Sequence, residues 1–187
     1  EIAVSVLGLY FKLQTFVFMP VFGLNQGALP VMGYNYGAGD RKRLMDAYRV
    51  TVAAAFTIMT VGFILFQAMP ERMVRLFNDD PALLASGVPA LRTISLSFFG
   101  AAFGIINGTL FQAIGRGLAS MIVSICRQLG IILPAAWLLG RLFGLNAIWF
   151  AFPIAEIGAV IISFAMFYRI YQDELKDLRP RHAETEG

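Results

Sequence analysis

Five long apolar stretches make up most of this chain, and short clusters of charged residues separate them. A helix needs about 20 apolar residues to cross the hydrocarbon core of a bilayer, and each stretch is long enough. The predicted spans lie near residues 2–37, 44–69, 83–114, 118–139 and 145–171, and a polar tail follows over 172–187. The expected fold class is therefore an all-α polytopic membrane protein with five transmembrane helices.

Composition narrows the function classes. Hydrophobic residues make up 58% of the 187 positions and charged residues only 14%, against about 25% charged in globular proteins. The net charge of +3 comes from loop clusters, so it reports membrane topology and not binding to nucleic acid. Cys126 is the single cysteine and His182 the single histidine. We predict no enzyme activity, no cofactor and no metal site, because the spans hold no paired acids, Ser/His pair or ligand cluster.

The first span contains polar and helix-breaking residues that a simple membrane anchor has no use for. Asn25, Gln26 and Pro30 lie in a glycine-rich segment that ends in the basic cluster 41–43. Polar groups within lipid need a protein neighbour or a water-lined cavity, so the segment favours transport. The span is longer than a bilayer is thick, and we expect one long helix, bent near Pro20 and Gly23, whose end projects past the membrane.

Basic residues orient the predicted spans. One side carries Arg41, Lys42, Arg43, Arg49, Arg116, Arg169, Lys176, Arg179 and Arg181, and the other carries Arg72, Arg75, Arg92 and Arg141. The positive-inside rule places the first group in the cytoplasm. We expect a multi-pass protein of the inner (plasma) membrane with a cytoplasmic C-terminus. The chain begins at Glu1 within a helical pattern, and we expect it to be the C-terminal part of a longer protein.

Three charged residues are predicted to lie near the middle of the bilayer. Glu156 is 11 residues into the last span and Arg127 is 9 residues into the fourth. At about 1.5 Å per residue, both reach the middle of the bilayer, which predicts a buried ion pair that forms or exchanges during function. Lys12, counted in the same way, also reaches the middle. In the alternative interpretation, Arg127 extends to the headgroups and Lys12 faces a water pocket without a functional role.

Amide side chains and prolines complete the candidate set. Gln14 and Asn25 are 11 residues apart, or three helical turns, and therefore lie on one face of the first helix. The amides either line a cavity or join helices through hydrogen bonds. Pro20 and Pro153 are the hinge candidates. The candidate pathway residues are Lys12, Gln14, Asn25, Gln26, Asn107, Gln112, Arg127 and Glu156.

Several motifs occur in a characteristic order. Residues 18–39 read FMPVFGLNQGALPVMGYNYGAG, residues 76–80 read LFNDD, residues 111–117 read FQAIGRG and residues 144–156 read GLNAIWFAFPIAE. Together with Arg127-Gln128, they resemble the multidrug and toxic compound extrusion (MATE) family over nearly the whole chain. Within that family they are similar to the branch that contains staphylococcal multidrug exporters.

The resemblance implies a protein of twelve helices in two six-helix lobes, which exports small organic cations by alternating access in exchange for H⁺ or Na⁺. The five spans would be the eighth to twelfth helices, most of the C-terminal lobe. Their partners would be the lipid bilayer and an N-terminal lobe of the same polypeptide. The third span has no acid, although some sodium-coupled members carry one there, so Glu156 is the remaining intramembrane carboxylate.

Two other functions stay open. A lipid-linked oligosaccharide flippase of the same superfamily needs a cavity rich in Arg and Lys, which Lys12 and Arg127 would supply. A membrane assembly subunit that does not transport would keep its function after replacement of Lys12, Arg127 and Glu156.

Overall fold

The computed structural model describes residues 2–179 and is helical in its regular structure over that range. Its α-helices are α1 (Ile2–Gly37), α2 (Arg41–Ala68), α3 (Pro70–Arg75), α4 (Pro81–Ser95), α5 (Phe98–Ala113), α6 (Gly117–Ile125), α7 (Leu133–Phe143) and α8 (Ala151–Ile170). A π-helical segment, Cys126–Ile132, joins α6 to α7 without a break, and a second one, Tyr171–Leu175, extends α8. A 3-10 helix, Leu145–Phe150, precedes α8.

Four helical segments in the described range are long and apolar enough to cross a membrane, and α4 with α5 makes a fifth when the bent pair is counted as one span. These segments coincide with the five apolar stretches, which confirms the predicted fold class. The last span continues through Leu175. Residues 180–187 of the predicted polar tail lie outside the described residues.

The third span is sharply bent where a continuous helix is predicted from its sequence. The axes of α4 and α5 meet at 47°. At the bend, the Ser95 hydroxyl donates to the carbonyl of Arg92 over 2.9 Å, and the Ser97 hydroxyl donates to the carbonyl of Ile94 over 2.6 Å. Serine hydroxyls that bond to carbonyls of the preceding turn compete with the helix backbone and bend it.

The two hinge candidates lie in different local structures. Pro20 is inside α1, which remains helical on both sides of it. Pro153 is the third residue of α8, in the first turn of a helix, where a backbone N–H has no intrahelical acceptor and proline is tolerated. Pro153 therefore lies in the first turn of α8, just after the junction with the 3-10 helix, and does not interrupt a helix. A hinge function at either proline stays a prediction.

Helix α5 lies at the centre of the bundle and packs against α1, α2, α6 and α8. Asn107, in its middle, is fully buried. The Tyr48 hydroxyl donates to Asn107 Oδ1 over 2.6 Å, and Asn107 Nδ2 donates to Ser163 Oγ over 3.0 Å. One amide thus joins α2, α5 and α8 through satisfied hydrogen bonds, which is the structural alternative considered for the amides.

The turns at one end of the bundle, 38–40 and 114–116, are fastened to the end of the last helix; we call this the basic end. Arg41 hydrogen-bonds the Tyr171 hydroxyl and donates to the carbonyl of Lys176 over 2.8 Å. Arg116 forms an ion pair with Glu174, with Nε 2.6 Å from Oε1. This hydrogen bond raises the pKa of Arg116 above its ordinary value. Side chains from α2, the α5–α6 turn and the last helix therefore meet here.

We predict that Asn107→Leu lowers the free energy of unfolding by about 1–3 kcal/mol, because it leaves the buried Tyr48 hydroxyl without its acceptor. Thr57→Val is the matched control, since Thr57 is exposed and bonds only to a carbonyl of its own helix. Unfolding in detergent, followed by the loss of helical circular dichroism, measures both changes. Equal losses in the two variants would contradict a special role for Asn107.

Candidate functional site

A single ion pair joins the last two spans inside the bundle. Arg127 Nη1 lies 2.9 Å from Glu156 Oε1. The side chains are 31% and 11% exposed, so much of the pair is withdrawn from the surface. The ion pair predicted from residue counting is present, and Arg127 is engaged with Glu156 instead of extending to the headgroups.

Arg127 is placed by an irregular stretch of its own helix. It is the second residue of the π-helical segment Cys126–Ile132, which ends two residues before Pro134. Proline lacks a backbone N–H and its ring clashes with the carbonyl four residues earlier, which favours a wider local turn. Single π-helical turns within α-helices are frequent at functional sites. Gly130 and Pro134 are the signals in the sequence, but neither fixes where the wide turn begins.

Two cavities meet at the ion pair, and Glu156 and Arg127 line both of them. The Gln14 cavity, of about 210 Å³, extends toward Tyr10 and the α4–α5 bend. The Asn25 cavity, of about 180 Å³, extends past Ser124 to Gln112 and Ser120, next to the basic end. The pair thus lies between two cavities, one toward each end of the bundle.

Several oxygen atoms in these cavities are buried without a hydrogen-bond partner: Gln14 Oε1, Asn25 Oδ1 and Glu156 Oε2. Buried polar atoms are normally satisfied, so each is a place where a proton, a cation or a donor group of a ligand would be stabilised. Glu156 is the strongest of the three, because its residue is only 9% exposed and an ionised carboxylate can only accept. The carboxylate has one oxygen held by Arg127 and one buried without a hydrogen-bond partner.

The close approach of α8 to α5 depends on a glycine. A Cβ atom at Gly100 would lie 2.7 Å from Glu156 Cβ and 3.4 Å from Oε2. Any side chain here would push the carboxylate out of position. Gly104, one turn further along α5, has no atom within 4 Å of the corresponding position.

Gln14, Asn25 and Gln112, three of the predicted amides, line the cavities, and Gln112 Nε2 donates to Ser120 Oγ over 3.3 Å. Gln14 and Asn25 lie on the side of α1 that faces the pair, as their spacing indicates. Gln26 is exposed and lines neither cavity, and Asn107 is used in the hydrogen-bond network described above.

Lys12 lies on a different face of α1 from Gln14 and Asn25, and its predicted depth stays a prediction. Its ammonium lies 5.8 Å from the centre of the Phe77 ring, and Phe77 belongs to the loop between α3 and α4. Val17 of α1 is level with Gly62 of α2, so Lys12, more than one turn earlier, is level with the last residues of α2. Its neighbours Tyr10 and Gln14 line the cavity at Glu156, so Lys12 is close to the level of the ion pair along α1.

Tyr10 was not among the residues predicted from the sequence. It is buried, lines the Gln14 cavity beside Glu156, and packs its ring at 5.8 Å from Phe152. A tyrosine in an apolar run gives no sign of the direction in which its hydroxyl points, and only the packing of α1 against α8 reveals it.

Known proteins share the sequence pattern and the fold of this chain. The MatE family model matches residues 1–138, which is more than half of the chain. The chain belongs to the MATE family. Members of this family are membrane transporters and not enzymes.

Individual relatives agree with that assignment. The multidrug export protein MepA of Staphylococcus aureus strain N315 is 27% identical over 175 residues, which cover 91% of this chain and 38% of MepA. A multidrug resistance MATE transporter of the MOP superfamily in its outward-facing conformation has a TM-score of 0.87 at 25% identity, over 95% of this chain and 40% of that one. The inward-facing conformation of a MATE transporter gives 0.84 at 23% identity, over 98% and 41%. The chain spans 37 to 39% of the length of the MepA proteins it matches.

The glycine beside Glu156 gives a paired prediction. Gly100→Ala should lower the free energy of unfolding by about 1–3 kcal/mol, because the new methyl group overpacks the contact with Glu156. Gly104→Ala should raise it by about 0.5–1 kcal/mol, since it only restricts the unfolded chain and fits open space. Thermal unfolding of the two purified variants measures both. If Gly104→Ala were as destabilising as Gly100→Ala, α5 would tolerate no added methyl group at either position. The result would then not support a specific contact between Gly100 and Glu156.

Proposed function

We propose that the chain is a five-helix lobe, with the polar tail 172–187, of a twelve-helix transporter that exports organic cations by alternating access. Export is driven by antiport of H⁺ or Na⁺. The observation that carries this proposal is the Arg127–Glu156 pair, with one carboxylate oxygen unpartnered between two cavities.

The position of Glu156 suits a coupling group. In antiport, one site must take up a cation from one side of the membrane and release it to the other. Glu156 borders a cavity toward each end of the bundle, so a small rearrangement is enough to change the side from which it is reached. Loading Oε2 with a proton or a cation weakens the attraction between Glu156 and Arg127. The weaker attraction lets α8 shift its position relative to the π-helical segment.

The lobe is similar to both an outward-facing and an inward-facing transporter, with TM-scores of 0.87 and 0.84. Such similarity to both states is expected when lobes move largely as rigid bodies around a fixed site, which is one form of alternating access. The basic end carries Arg41, Lys42, Arg43 and Arg116, and we assign it to the cytoplasmic side of the plasma membrane by the positive-inside rule. The C-terminus is then cytoplasmic.

The flippase alternative has less support. It requires a basic cavity, but Lys12 lies beside Phe77 and Arg127 lies beside Glu156. Lys12 lines neither of the two cavities at Arg127.

We predict that Glu156→Gln, in the full-length transporter, lowers export of a fluorescent organic cation at least about tenfold and removes its dependence on the driving H⁺ or Na⁺ gradient. Glutamine keeps the volume and an acceptor for Arg127 but cannot be protonated or carry charge. Uptake into inverted vesicles, with the pH and sodium gradients imposed separately, measures the effect.

Glu71→Gln is the matched control, because Glu71 is exposed and pairs only with Arg75 of its own short helix. It should leave transport unchanged. Normal, gradient-dependent export by Glu156→Gln would refute coupling at this site. If Arg127→Gln also kept normal export, the ion pair would have no part in transport. A non-transporting assembly subunit would instead give no export with the unchanged protein.

A further inference from the structure

A cleft of about 690 Å³ lies at the basic end, between the first turns of α2 and the end of the last helix. It takes no part in the ion pair or the two cavities around it. Its lining residues are Arg41, Lys42, Met45, Asp46, Arg49, Phe167, Tyr168, Tyr171 and Gln172. The volume falls within the range of about 300–1,000 Å³ that small-molecule sites occupy.

One face of α2 supplies the charge of the cleft. Lys42, Met45, Asp46 and Arg49 follow the spacing i, i+3, i+4, i+7 of a single helical face. Arg49 and Asp46 are 3.9 Å apart, with side chains 74% and 57% exposed, so their attraction is weak. With Arg41, the wall holds three cations against one carboxylate, which leaves an excess of positive charge.

The opposite wall is aromatic and rigid. The Phe167 ring stacks on Tyr48 at 5.5 Å and on Tyr171 at 6.0 Å. The Arg41 guanidinium lies 5.2 Å from the centre of the Tyr171 ring. Met45 lies between Lys42 and Arg49 along α2, and with Phe167 it offers apolar surface beside the cations. The Tyr171 hydroxyl lies with Arg41 at the end of the bundle. Tyrosine is enriched at that depth because its ring tolerates lipid and its hydroxyl tolerates water.

We propose that this cleft binds an anionic phospholipid, with the phosphate at Lys42 and Arg49 and the start of an acyl chain against Met45 and Phe167. A phosphate is the chemistry that the cations recognise, and the apolar wall selects a lipid over a free phosphate. Basic pockets between transmembrane helices at this level are known to receive anionic headgroups. Since Arg41 and Tyr171 also fasten the last helix, the lipid would reinforce the joint between α2 and the last helix.

Native mass spectrometry of the full-length protein tests the site. Phosphatidylglycerol and phosphatidylcholine with the same acyl chains are added at equal concentrations, and glycerol phosphate is the soluble competitor. We expect phosphatidylglycerol to be retained in preference to phosphatidylcholine. Lys42→Gln and Arg49→Gln should each weaken its apparent affinity about fivefold, the effect of losing one cation near an anionic surface.

Arg43→Gln is the matched control. Arg43 lies in the same helical turn as Lys42 but does not line the cleft, and it pairs with Asp40 at 3.4 Å. It should change the affinity less than twofold. An equal loss of affinity with Arg43→Gln would show that the lipid responds to the general positive potential of the surface and not to this cleft. Equal retention of phosphatidylcholine would show that charge does not select the lipid. Displacement of phosphatidylglycerol by glycerol phosphate would show that the cleft binds a soluble phosphate, and it would overturn the proposal of a lipid site. Unchanged unfolding temperatures of the variants establish that they fold.

Discussion

Burying the Glu156 carboxylate inside an apolar bundle is costly unless a positive charge lies within hydrogen-bond distance, and the positions of three helical segments follow from this requirement. Arg127 supplies the charge from a π-helical segment. Gly100 lets α8 approach α5 closely enough for Glu156 to reach it. Loss of either charge, or a side chain at Gly100, would change the packing, so the pair specifies an arrangement as well as a chemistry.

The satisfied and unsatisfied polar groups of the bundle have different functions. Asn107 has partners on both sides of its amide and joins three helices, whereas Asn25 and Glu156 each keep an oxygen without a partner. In a medium without water, a satisfied amide contributes to folding and an unsatisfied acceptor requires a ligand. The contrast separates the part of the bundle that joins helices from the part that we propose as the cation pathway.

Much of the fold could be predicted from the sequence, because apolar length and charge clusters act over whole spans. The five spans and the Arg127–Glu156 contact depend only on such counting. The contact of Lys12 with Phe77 could not be obtained in this way, since it depends on which elements pack against that face of α1. The α4–α5 bend depends on the rotamers of Ser95 and Ser97. The difference between Asn25 and Gln26, neighbours with similar amides, depends on a rotation of one residue about the helix axis.

The π-helical segment also has a consequence for the span that contains it. Successive residues of an α-helix are turned by about 100°, so a wider turn changes the rotational phase of everything that follows. The contact of Ile131 with Gly158, and that of Gly140 with Ile148, exist only in the phase that this segment sets. Deleting one residue between 126 and 132 would restore a regular helix but rotate α7, and with it Gly140, away from Ile148. The faces that α6 and α7 present to their neighbours are therefore not tied together by a regular helical repeat, and each helix can pack against its own neighbours.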